Sequence, residues 1–183
     1  GIDGALSTTF GSALAEPNTL HFVVIGDLAF FYDMNSLGNR DMMANIRILL
    51  VNNGIGDEMR MPYSTGFRLH GEELPYVCAQ GHYRAQNAFD SLAKAWCEAL
   101  GFKYMSASSK QEYLERLPEF LTTQSDSPII LECHTTPDDD SQAGGALQLL
   151  DQDYVNKKKL KDAIKNVVPD SMLRTAKTIL SRK

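Results

Sequence analysis

Apolar positions recur along this chain at two spacings, and their alternation outlines the fold. Leu6, Phe10, Ala13 and Leu14 follow a helical period that Pro17-Asn18 breaks. Leu20 to Ile25 is short, rich in β-branched residues and almost continuously apolar, as expected of a central parallel strand covered on both faces. Gly26-Asp27 closes it, and residues 28–37 predict a helix stopped near Gly38-Asn39. A second buried strand is expected over Ile46 to Val51, ended by Asn52-Asn53-Gly54. These segments form a β-α-β unit with a right-handed crossover.

From Gly54 to Tyr83 periodicity is weak and Gly, Pro and mixed charge dominate. So long an irregular stretch is expected to be functional or ordered by a partner. The alternation then resumes. Ala88 to Leu100 predicts a helix with Leu92, Ala95, Trp96 and Leu100 inward and Gly101 at its stop. Phe102 to Ala107 predicts a strand, Ser109 to Leu121 a helix capped by Ser109 or Ser108, and Ile129 to Cys133 another strand. At Pro137 the character changes: Asp138-Asp139-Asp140-Ser141 opens a tail with helices expected over Tyr154 to Val168 and Ser171 to Leu180. Leu160, Ile164 and Val167 stripe the first; Leu173, Ala176 and Leu180 stripe the second. The expected architecture is α/β. An open, mostly parallel sheet with helices on both faces spans residues 1–137, and a helical C-terminal extension spans 138–183.

Composition narrows the function classes. A length of 183 residues suits one domain with an appendage, and 43% apolar with 22% charged residues argues against wholesale disorder. No run approaches the ~18 apolar residues of a membrane span, so no membrane association is expected. A net charge of −5 argues against a general nucleic-acid binder. Cys78, Cys97 and Cys133 lie far apart and match no zinc spacing; reduced thiols in a cytoplasmic protein are expected. The opening Gly1-Ile2-Asp3-Gly4 has neither initiator Met nor leader, which suggests a cut-out domain or processed piece.

In open parallel sheets ligands sit beyond the carboxyl ends of the strands. Asp27 leaves its strand at a helix start, where free N–H groups favour phosphate, and Gly26 permits close approach. A carboxylate beside a diphosphate needs a cation between them, and Mg²⁺ is held in this way by few protein oxygens. Asn53 adds an amide oxygen from the next strand end, and the Ile55 carbonyl a third ligand if the chain turns at Gly54. Gly-Asp and Asn-Asn-Gly each also serve as plain turns. Placed together at two buried strand ends, they point to a Mg²⁺–diphosphate site.

Here the sequence resembles the diphosphate-binding domain of thiamine diphosphate-dependent enzymes, which carry Gly-Asp-Gly and, one β-α unit later, Asn-Asn. Gly1-Ile2-Asp3-Gly4, Leu6-Ser7-Thr8, Gly26-Asp27-Leu28-Ala29 and Tyr32-Asp33-Met34-Asn35 resemble the menaquinone-biosynthesis branch, in which Leu replaces the third motif Gly, as Leu28 does. The close likeness runs from Gly1 to about Gly56, and the fold-level likeness to about Thr136. The resemblance implies thiamine diphosphate and Mg²⁺ as cofactors, with Asp27, Asn53 and the Ile55 carbonyl as metal ligands. It implies Ile2 as the wedge that bends the cofactor, and Gly26, Leu28 and Ala29 near the diphosphate. It further implies a dimeric or larger homo-oligomer, a decarboxylating carbon–carbon bond-forming reaction of a 2-oxo acid (2-oxoglutarate with isochorismate in that branch), and an activating Glu from a pyrimidine-binding domain of the same or another subunit. No carboxylate here matches that Glu, so no catalytic residue is nominated and the chain alone is expected to be inactive. After the paired Asn the branch continues with Gly-Gly and an Ile-Phe pair, where this chain reads Gly54-Ile55-Gly56-Asp57-Glu58-Met59.

Alternatives stay open: a non-catalytic cofactor-binding or partner-docking subunit, a related carboligase using another 2-oxo acid, or a doubly wound nucleotide enzyme. The missing Gly-x-Gly-x-x-Gly counts against the last. His21, His70, His82 and His134, Arg68 and Arg84, and Glu72-Glu73 read mainly as structural or solvated residues, although His70, His82 and the two Arg would suit a 2-oxo acid. Asp33 and Asn35 are expected to bond within their helix or to the neighbouring subunit. Asp138-Asp139-Asp140 lacks the alternating pattern of a calcium loop, and the Lys157-Lys158-Lys159-Lys161 run suits the wet face of a helix.

Overall fold

The computed structural model describes residues 2–61, 64, 71–86, 91–150, 155–157 and 159–160. By contact the chain divides into two compact units, Gly1–Ser141 and Gln142–Lys183. The first holds four parallel strands, β1 (His21–Gly26), β2 (Ile46–Asn52), β3 (Lys103–Ala107) and β4 (Ile129–His134), in the order β1-β2-β4-β3. Each strand except β4 runs into a helical or irregular crossover before the next. The sheet is therefore open and parallel, with all four carboxyl ends along one rim.

Side-chain alternation sends β2 residues to opposite faces. Ile46, Ile48 and Leu50 turn one way, with Ile25 and Ile130, against α1 (Ala5–Ala15), α2 (Asp27–Asp33) and α4 (Leu92–Ala99). Leu49, Ile129, Leu131 and Met105 turn the other way, against α5 (Lys110–Phe120). Helices thus cover both faces, as the pattern predicts. On the second face Arg47 is 1% exposed and donates to the carbonyls of Ala44, Ile46 and Thr122 at 2.7, 2.8 and 2.7 Å. It ties the start of β2 to the segment after α5.

Several expectations need correction. β1 is not central: it lies at one side of the sheet, and Phe22 and Val24 are 49% and 70% exposed because α5 reaches only as far as an edge contact between Phe120 and Phe22. An apolar run cannot by itself say whether a strand has neighbours on both sides. The helix expected to Leu37 leaves α geometry after Asp33 and continues as a 3₁₀ turn over Met34–Gly38. In α4 the inward residues are Ala93, Trp96, Cys97 and Leu100, while Leu92 and Ala95 face out; the stripe keeps helical spacing but is rotated by one position. The stretch after Gly54 contains short helical turns at Asp57–Arg60 and Gly71–Glu73 and α3 (Leu74–Val77). Arg68 and His70 lie outside the described residues.

The tail begins with a helix that the sequence reading did not assign, α6 (Pro137–Leu150). Its start has a physical cause: the Thr136 hydroxyl accepts from the Asp139 N–H at 3.2 Å and donates to the Asp139 carboxylate at 2.6 Å, with Pro137 next in line. This is a variant of the reciprocal cap, with Pro and acids in the first turn. Residues 155–157 and 159–160 are helical, and Leu160 is exposed. The rest of the expected Tyr154–Val168 helix, the Ser171–Leu180 helix and Lys158 and Lys161 lie outside the described residues. Among the described residues no helix is long and apolar enough to cross a membrane.

Candidate functional site

The site is built where β1 and β2 end. Gly26 is in register with Val51, so Asp27 and the Asn52-Asn53 pair lie beside each other at two adjacent strand tips. Asp27 opens α2 and is 7% exposed. Nearby backbone N–H groups, those of Leu28 and Gly54 first, favour its charged form, and the Gly54 N–H itself donates to Asn52 Oδ1 at 3.2 Å. Burial outweighs them and raises its pKa from 3.8 to about 6.

The loop after β2 is held in a defined shape. Gly54 has φ +76°, which suits the absence of a side chain, and an added Cβ there would lie 3.1 Å from Arg84. The Gly54 carbonyl accepts from the Gly81 N–H at 3.3 Å, and the Gly56 N–H donates to the Cys78 carbonyl at 2.6 Å. Among the described residues the Ile55 carbonyl accepts no hydrogen bond. Asn53 Oδ1 accepts from the Ile55 N–H at 3.1 Å, which leaves that oxygen a second lone pair, and Asn53 Nδ2 donates to Asp140 at 2.8 Å.

All seven nominated residues, Ile2, Gly26, Asp27, Leu28, Ala29, Asn53 and Ile55, line one cavity of about 590 Å³, with Tyr32, Asp57, Glu58 and Met59 on its wall. A second cavity of about 490 Å³ adjoins the same Asp27 and Asn53 and carries Arg84, His82 and His134. Tyr83, in the left-handed region at φ 54°, stacks on Phe31 of α2 at 4.7 Å and fixes the course of that segment.

Supporting groups that the sequence reading missed lie behind the rim. Glu132 is fully buried and accepts from Asn52 Nδ2, the Ser91 hydroxyl and the Tyr104 hydroxyl, each at 2.6 Å. A charged residue inside the apolar run Ile129 to Cys133 was the available signal. Asp33 binds Ser7, accepting from its N–H at 2.8 Å and its hydroxyl at 2.5 Å, and so caps α1 from α2. Asp140 carried no local signal pointing to Asn53.

The donor set can be tested against a hard cation. Asp27 is a buried carboxylate with no ion-pair partner among the described residues. Beside it stand an amide oxygen with a free lone pair and an unused main-chain carbonyl, all oxygen donors. No cluster of three or more His, Cys, Asp or Glu able to hold a metal exists among the described residues, so an all-protein cage is absent there. A few oxygens facing a cavity fit Mg²⁺ that completes its shell with phosphate and water.

No family model matches the chain. It is 38% identical over 143 residues, 77% of its length, to the 2-succinyl-5-enolpyruvyl-6-hydroxy-3-cyclohexene-1-carboxylate synthase of Phocaeicola vulgatus. The synthase of the same name from Bacteroides fragilis is 38% identical over 148 residues, 78% of the chain, and that of Desulfotalea psychrophila 50% over 137 residues, 75% of the chain. The chain is thus similar, over about three quarters of its own length, to one domain-sized part of these synthases, and it spans about a quarter of their length, 24% of the first two and 23% of the third.

Proposed function

We propose that this chain is the diphosphate- and Mg²⁺-holding half of a thiamine diphosphate site, in an enzyme that decarboxylates a 2-oxo acid and joins the remaining carbons to an acceptor. The gathering of the seven expected residues on one cavity, with Asp27 and Asn53 at adjacent strand tips, supports the reading. Asp27, Asn53 and the Ile55 carbonyl hold the cation. Leu28 and Ala29 offer backbone amides to the diphosphate, and Gly26 lets it approach. Ile2, 37% exposed on the cavity wall, supports the bent cofactor. When bound, the cofactor supplies the carbanion chemistry that releases CO₂ from a 2-oxo acid. This chain's residues position it and offset its charge.

The likeness to these synthases supports a role in menaquinone synthesis, and the resemblance of the motifs implies 2-oxoglutarate and isochorismate as the substrates. A carboligase using another 2-oxo acid is the second reading, favoured by Glu58, an exposed acid on the cavity wall where the branch carries an apolar side chain. In either case the pyrimidine-binding domain comes from elsewhere in the same or another subunit of a cytoplasmic homo-oligomer, and the chain alone turns over no substrate.

Calorimetry on the whole protein tests the reading. Thiamine diphosphate should bind with Mg²⁺ and not with chelator, NAD should not bind, and D27N should abolish the metal dependence. Metal-independent binding, or none, sinks the assignment.

A further inference from the structure

We infer that Asp140 is a positioning residue for this site, fixing which end of the Asn53 carboxamide faces the cation. The inference rests on the metal role proposed for Asn53. A carboxamide has two ends of nearly equal size and opposite chemistry: the oxygen can ligate Mg²⁺, whereas the NH₂ group presents protons to it. Nothing in the length of the side chain decides between them, so its neighbours must.

Here both neighbours choose the same way. The Asp140 carboxylate is an acceptor and takes a proton from Asn53 Nδ2 at 2.8 Å. The Ile55 N–H is a donor and points at Asn53 Oδ1 from 3.1 Å. Turning the amide over would set oxygen against the Asp140 carboxylate and NH₂ against the Ile55 N–H, two repulsive contacts in place of two bonds. Of these partners only Asp140 is a side chain, and thus the one that substitution can remove.

Asp140 is itself held. The same oxygen, Oδ2, accepts from the Thr135 hydroxyl at 2.8 Å, and the Asp140 N–H donates to the Thr136 carbonyl at 3.1 Å in the opening turn of α6. Neighbouring bonds join that turn to the metal loop: Arg60 pairs with Asp138 at 2.6 Å and the Ser141 hydroxyl meets Asp57 at 3.3 Å. Residues 87 positions apart in sequence therefore share one fixed geometry. Groups that orient metal ligands from behind typically contribute 10–100-fold to metal affinity.

The test is titration of the whole protein with Mn²⁺ at saturating thiamine diphosphate, read by the electron paramagnetic resonance of free Mn²⁺. D140A should weaken Mn²⁺ binding roughly 10–100-fold. D140N, whose amide oxygen still accepts from Asn53 but carries no charge, should restore most of the affinity. If D140A fails to fold, as judged by thermal melting, T135V takes its place: loss of the hydroxyl that steadies Asp140 should weaken Mn²⁺ binding in the same direction. Unchanged affinity in D140A, or in T135V where it stands in, overturns the inference. Equal loss in D140A and D140N also overturns it, because charge and not amide orientation would then be at work. If the unaltered protein takes up no Mn²⁺ with the cofactor, the metal role of Asn53 falls first and this inference with it.

Discussion

Asp27 carries an electrostatic penalty that should be visible in solution. Folded, it keeps its proton up to about pH 6, against 3.8 for the free side chain, chiefly because burial disfavours the charged form. The folded state therefore binds more protons than the unfolded chain between those values, and stability falls as pH rises through that window. A shift of this size corresponds to roughly 2–3 kcal/mol, fully lost above the window. With chelator present, thermal melts of the whole protein should show this decline between pH 4 and 6, and D27N should flatten it. Mg²⁺ with thiamine diphosphate should recover stability at neutral pH, as any ligand of the native state does. The pair Asp27 and Asn53 was legible in the sequence because each follows an apolar run, and the ends of parallel strands gather on one rim. Asp140 was not legible, since its approach to Asn53 depends on the path of the chain after β4, which no local pattern encodes.

Among the elements, α4 and β4 show how the site is kept stiff from behind. Ser91 caps α4 by accepting from the Lys94 N–H at 3.1 Å and also donates to Glu132. S91A removes a helix cap and one donor from a buried carboxylate, and should cost about 2 kcal/mol in urea unfolding. Y104F removes a second donor to the same carboxylate and should cost about as much. Strands and helices were largely readable from periodicity, and of the two candidate caps of α5, Ser109 and Ser108, it is Ser109 whose hydroxyl accepts from the Glu112 N–H at 3.2 Å. The rotated face of α4 was not, because Ala93 and Cys97 are small residues whose burial depends on how closely the helix approaches the sheet. The Thr136-Pro137 start of α6 is a capping signal in the sequence, but the three Asp and the small residues that follow carry no apolar stripe to mark a helix behind it.

Across the molecule, the parallel order of the sheet converts four separate strand ends into one working rim, while its β1 side stays less well covered. Phe22 and Val24 leave apolar side chains in solvent on the edge strand β1, an arrangement that favours self-association. V24K should reduce light scattering by the isolated chain while leaving its melting temperature nearly unchanged, because Val24 has little burial to lose. Another feature supplies a signal from within. The sole tryptophan, Trp96 on α4, donates its indole N–H at 3.2 Å to the Met34 carbonyl, just past the helix that Asp27 begins. Its emission is thus an intrinsic optical gauge of whether that helix stays seated, so occupancy at the rim can be followed by fluorescence without any attached dye.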